Sequence, residues 1–221
     1  MDARRYVLIT VLLGGMGQGV VAPKLPELLS GNAQLFLASG AAASLMYLGI
    51  FVSTQRFGRA ADAGRAHLLV RWGLVAYALS LVALGCFRST GAVFATRFVE
   101  GLALSAVYVA ADFILGRLSK PRERAQWLSY YGVALSIGLA LGPLAALALA
   151  RVSPKPLFVL GAVAALALTL AAFAGRARVG RLPSSESTKL KLGLGPLSTG
   201  AVYGFMEAGL VAVFPVLAVR E

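Results

Sequence analysis

Arg97 and Glu100 stand one helical turn apart inside the apolar run 91–116. An ionised side chain at bilayer depth is costly unless it is paired or faces a water-filled cavity. At i and i+3 the two share a helix face, so each lowers the desolvation cost of the other. The chemistry such a pair offers is charge handling. The carboxylate takes up and releases a proton, while the guanidinium stays charged and holds whatever anion faces it. A competing reading has Arg97 snorkelling to the outer interface, because it lies only about 9 Å into the run. Glu207, about 13 residues into a later apolar stretch, is a second proton-site candidate, with Gln18 at the corresponding place in the first.

Other chemistries find little material. The single Cys86 and single His67 exclude a disulfide framework or a His/Cys metal cluster within one chain. No Gly-x-x-x-x-Gly-Lys-Ser/Thr loop occurs, so ATP hydrolysis is not expected to drive the protein. An enzyme would need a nucleophile and base clustered at one depth, which the sequence does not offer. No metal and no resident cofactor are implied. A membrane scaffold without transport stays open as the different-class alternative.

The elements that must position these residues are membrane helices. The chain has 221 residues, 58% apolar and 14% charged, with mean hydropathy +0.79. Soluble domains sit nearer about 45–50% apolar. Seven stretches of about 20 residues, enough to span a bilayer, lie near 6–28, 33–55, 68–87, 91–116, 127–150, 157–175 and 194–218. The net charge of +12 is explained by topology rather than by nucleic-acid binding. With a cytoplasmic N-terminus, fifteen of the 21 Lys and Arg residues fall inside, five outside and Arg97 within the membrane. The opening Arg4-Arg5 and apolar run could also pass for a signal peptide. Its length and the placing of Pro23 favour a first membrane helix.

The segment 176–192 carries Gly180, Pro183, three serines and five basic residues, which is linker composition. It divides a six-helix unit, 1–175, from a stretch at 193–221 that starts a second unit. Thr10, Gly15, Pro26 and Leu28 recur as Thr199, Gly204, Pro215 and Leu217, all shifted by 189, and Gln18 falls on Glu207 in that register. A parallel repeat of two bundles would give this echo. The chain reaches Glu221 just after the seventh stretch, so a truncated chain lacking a C-terminal half is expected.

Three motifs carry a family resemblance. Between the second and third stretches runs Gly58-Arg-Ala-Ala-Asp62-Ala-Gly64-Arg65. It resembles the Gly-x-x-x-Asp-Arg/Lys-x-Gly-Arg/Lys signature of the major facilitator superfamily, one residue short and with Ala63 where a basic residue belongs. Arg97-Phe-Val-Glu100-Gly101 is similar to that family's Arg-x-x-x-Gly in the fourth helix. Gly138-Leu-Ala-Leu-Gly142-Pro143 resembles the glycine-proline motif of its proton-driven drug exporters, with Ser129 and Ala146 where outer glycines belong. The resemblance implies an all-α polytopic bundle: the N-terminal six helices of the fold plus one more. It also implies an inner gate of Gly58, Asp62, Gly64 and Arg65 joined by Asp112, and a rocking surface at Gly138, Gly142 and Pro143. The implied activity is proton-coupled efflux of hydrophobic or cationic small molecules in a bacterial inner membrane. Uptake of a small anionic metabolite is the alternative. The plainer readings are a basic loop with a capping aspartate for the first motif, the snorkelling Arg97 for the second and small-residue packing common to membrane bundles for the third, while Asp112 reads equally as an interfacial carboxylate near Arg117.

Overall fold

The computed structural model describes residues 2–31 and 34–174. These form six helices: α1 Ala3–Leu28, α2 Leu35–Ala60, α3 Ala66–Cys86, α4 Thr90–Leu118, α5 Arg124–Val152 and α6 Pro156–Phe173. No strand occurs among the described residues. The first six expected stretches each fall on one helix, and the seventh lies outside the described residues. Among the described residues, five helical runs are long and apolar enough to cross a membrane, the longest, Leu37–Cys86, comprising α2 and α3 together.

Local chemistry sets several boundaries. The Asp2 side chain accepts from the Arg4 amide to start α1, and that of Ser89 accepts from the Ala92 amide to start α4. Pro156 opens α6, where its missing N–H leaves nothing unsatisfied. Between α2 and α3, the wide helical turn Ala61–Arg65 breaks at Gly64, whose φ of 79° suits glycine alone.

Side-chain contacts fix the directions. Met46, Gly49 and Thr54 of α2 meet Arg97, Phe98 and Ser105 of α4 in parallel order. Gly73 of α3 lies against Ala103 and Val107 of α4, while Tyr77 lies within electrostatic reach of Glu100, which is antiparallel order. α2 and α3 are thus antiparallel neighbours that both lean on α4 and touch each other little. α1 packs chiefly on α5, and α6 chiefly on α3. The bundle's two ends differ in charge. Arg4 reaches the Leu118 carbonyl, stacks over Trp127 at 4.8 Å and lies 3.9 Å from Glu123, so the N-terminus shares one end with the α4–α5 connection. Lys24 pairs with Glu27 at 2.8 Å and contacts the Pro154 carbonyl at the opposite end.

Glycine seams replace the hydrophobic drive that lipid cannot supply between helices. A Cβ on Gly142 would lie 2.5 Å from the Gly19 Cα, and one on Gly138 would strike the Leu12 carbonyl, so α1 and α5 meet backbone to backbone. Gly49 and Gly101 do the same for α2 and α4: a Cβ on either would strike the facing helix's carbonyl, at Phe98 or Met46.

Candidate functional site

Arg97 and Glu100 face the bundle interior. Arg97 Nη1 donates to Glu100 Oε2 at 2.5 Å, with side chains 6% and 0% exposed. Arg97 Nη2 contacts Met46 Sδ at 3.1 Å. The snorkelling alternative for Arg97 is not what the structure shows. Gly101 explains the burial: its lack of a side chain lets the α2 backbone at Met46 close over the pair. Seven and ten residues beyond Thr90, the two lie about 10 and 15 Å along α4, the second near the middle of a core about 30 Å thick. Charges in this setting interact strongly and are expensive to separate. Arg97 Nε and Glu100 Oε1 keep no hydrogen-bond partner, so the pair has capacity for another polar group or a proton.

From Glu100 a polar track continues through tyrosines. Tyr77 interacts electrostatically with both Glu100 and Arg97, and its buried hydroxyl has no hydrogen-bond partner. Tyr108 lies within electrostatic reach of Tyr47, Tyr77, Tyr131 and Glu100. Gln18 Nε2 donates to the Tyr108 hydroxyl at 2.9 Å, and the Tyr108 and Tyr131 rings meet edge to face at 6.4 Å. Of these groups only Gln18 and Tyr108 are joined by a hydrogen bond, and the Tyr77 hydroxyl and Glu100 Oε1 make none to each other. Two glycines of α1 make room. A Cβ on Gly14 would lie 2.9 Å from the Tyr108 hydroxyl, and one on Gly17 would collide with that of Tyr77.

Of the expected transport residues, Arg97, Glu100 and Gln18 belong to this one track. Glu207 lies outside the described residues. Tyr77, Met46, Gly14 and Gly17 are the additions that sequence reasoning did not single out. Tyr77 sits in an unremarkable apolar helix, and only the contact with α4 identifies it. Gly14 and Gly17 stood in plain view within a glycine-rich helix, but which face each occupied needed the partner helices.

The turn at the inner motif has a different character. Gly64 supplies the left-handed residue, and Arg65 and Asp62 flank it. No ion pair joins Asp62, Arg65 and Asp112. Asp112 is exposed and lines a hollow of about 480 Å³ with Arg117 and Arg124, between α4 and α5. Nothing described lies within 4 Å of a Cβ built on Gly58. Asp62 does not cap α3 either, since Arg65 is the N-cap residue of that helix and no side chain caps it.

On α5 the motif residues Gly138 and Gly142, with Ala146, are its buried residues, spaced four apart against α1. Pro143 adds its Cδ to that seam, 3.1 Å from a Cβ built on Gly19. Ser129 and Gly132 are exposed.

Long apolar helices joined by glycine seams, with charge buried at mid-depth, define an integral membrane helix bundle. A family model described as Major Facilitator Superfamily matches residues 7–220, and the chain belongs to that family. It is also similar to a protein of Bacillus subtilis (strain 168) described as "Uncharacterized MFS-type transporter YfkF", at 24% identity. The match covers 97% of this chain and 57% of that protein, so the chain spans little more than half the length of this relative.

Proposed function

We propose that the chain is the transport-bearing part of a secondary active transporter, exporting hydrophobic or cationic small molecules in exchange for protons. The observation that carries this reading is the Arg97–Glu100 pair, buried at mid-membrane with one atom on each partner, Arg97 Nε and Glu100 Oε1, left without a hydrogen bond. Glu100 is the proton acceptor. Arg97 stabilises its charged state, and the Tyr77–Tyr108–Gln18 track links it towards α1. The cycle alternates access by rocking the six-helix bundle 1–175 against a second bundle that begins at 193–221, across the 176–192 linker. Gly138, Gly142 and Pro143 would form the hinge surface. Gly58, Asp62, Gly64, Arg65 and Asp112 would form the inner gate once the second bundle supplies their partners. Glu207 would contribute a second carboxylate from that bundle. The inner, cytoplasmic side is the end holding Arg4, the Gly64 turn and Arg117–Arg124, on the positive-inside bias. The membrane is a bacterial inner membrane.

The test is transport by the protein in proteoliposomes carrying an imposed pH gradient, with a fluorescent organic cation on one side and a small carboxylate in a parallel assay. Accumulation of the cation against the proton gradient supports exchange. Uptake of the carboxylate alone would replace this reading by anion import through Arg97.

A further inference from the structure

The leaning of α2 and α3 on α4, rather than on each other, leaves a groove between them of about 560 Å³. That volume falls within the roughly 300–1,000 Å³ range of small-ligand sites. Ala103 and Ala106 of α4 form its floor, and Phe57 of α2 with Leu69 and Trp72 of α3 form its walls. It opens on the bundle's outer surface, because Trp72 is 61% exposed. Arg65 stands at one end and Ala76 at the other, 11 residues apart on the helix, or about 16 Å. This is close to half of a hydrocarbon core about 30 Å thick, the depth of one leaflet.

The mouth of the groove is cationic. Arg56 and Arg65 both line it, are exposed, and make no ion pair or hydrogen bond with the described residues. Arg59 lies beside them in the sequence, and Asp62 is the lone carboxylate of the segment 56–65. Arg71, outside the groove's lining, lies 5.7 Å over the Trp72 ring. Guanidinium forks match phosphate oxygens in geometry and charge. The small residues of the floor leave room for a chain of methylenes that no described side chain fills.

We propose that this groove binds one anionic phospholipid from the leaflet on the side of the Gly64 turn. Arg56 and Arg65 hold its phosphate, and one acyl chain lies along Phe57, Leu69 and Trp72. The site shares Arg65 with the proposed inner gate but does not depend on what the protein transports. It would tie the state of the α2–α3 turn to the charge of the surrounding lipid.

The chain has two tryptophans, Trp72 and Trp127. A Trp127→Phe variant therefore reports from the groove alone. Reconstituted in phosphatidylcholine vesicles, its fluorescence should be quenched more by brominated phosphatidylglycerol than by an equal fraction of brominated phosphatidylcholine. Adding Arg56→Ala and Arg65→Ala should remove the preference, by about fivefold in relative association constant per arginine. Equal quenching by both lipids would overturn the proposal, since it describes an unselective lipid annulus. Quenching by neither would also overturn it, because a helix from 193–221 or a second copy would then cover the groove. Native mass spectrometry of the unaltered chain gives an independent reading. It should retain one phosphatidylglycerol that the double arginine variant loses, and finding no retained anionic lipid would count against the site.

Discussion

α4 and α5 are both 29 residues long, yet the bundle uses them in opposite ways. Fourteen residues of α4 are buried, among them Arg97 and Glu100. On α5 the buried set is Gly138, Gly142 and Ala146, while Val133, Ile137, Leu141, Leu144 and Leu147 stay exposed. The more apolar helix is the less buried one. In a bilayer this is no paradox, because lipid tails accept leucine as readily as a protein core does. What marks a buried helix here is what lipid rejects, charge and hydroxyl, together with the glycines that let another backbone come close. α4 holds chemistry inside; α5 offers a small-residue stripe to α1 and a wide apolar face to its surroundings.

Breaking the α4 pair should have the largest effect. Arg97→Ala leaves Glu100 buried without its partner and should cost about 3–5 kcal/mol, seen as a large drop in thermal unfolding temperature in detergent, with transport abolished. Replacing both residues, as Arg97→Met with Glu100→Met, should return most of that stability and none of the transport. A double variant still transporting would remove the pair from the mechanism.

On α5 the corresponding damage comes from adding atoms. Gly142→Leu must push α1 away from the Gly19 Cα and should cost about 1–3 kcal/mol. Leu144→Ala, one helix face round, should stay within about 0.5 kcal/mol in the same unfolding assay. Equal effects at the two sites would mean that α5 is covered on both faces. Between these extremes, Gln18→Leu removes the hydrogen bond to Tyr108 and should cost about 0.5–1.5 kcal/mol. The smallest change in stability is expected for Tyr77→Phe, which deletes a buried hydroxyl without a partner and should leave the unfolding temperature unchanged or slightly raised. Its transport should nonetheless depend differently on pH, because a buried hydroxyl within electrostatic reach of Glu100 is gone.

The sequence carried the helices well, and for a physical reason. A span needs about 20 apolar residues, so 33–55 and 91–116 announced α2 and α4 with ends displaced by only a few residues. It also carried the Arg97–Glu100 pair, since i and i+3 spacing is a local property of a helix. What it could not carry were relations between helices. Tyr77 meets Glu100 only because Gly73 lets α3 settle on α4, and Met46 roofs the pair only because Gly101 admits α2. The inner motif shows the converse. Its residues were legible, and Gly64 has the backbone conformation that demands glycine, but the charges of Asp62 and Arg65 find no partner among the described residues.

The central claim is that Glu100 carries the coupled proton, and a single substitution addresses it. Glu100→Gln keeps a hydrogen-bonding group beside Arg97 but cannot release a proton to water. In proteoliposomes with a pH-sensitive dye inside, the parent protein should move protons whenever a transported organic cation is added. The variant should still bind the cation in a fluorescence titration while moving no protons. Substrate-driven proton movement by Glu100→Gln at the parent rate would contradict the claim and shift the proton to another carboxylate.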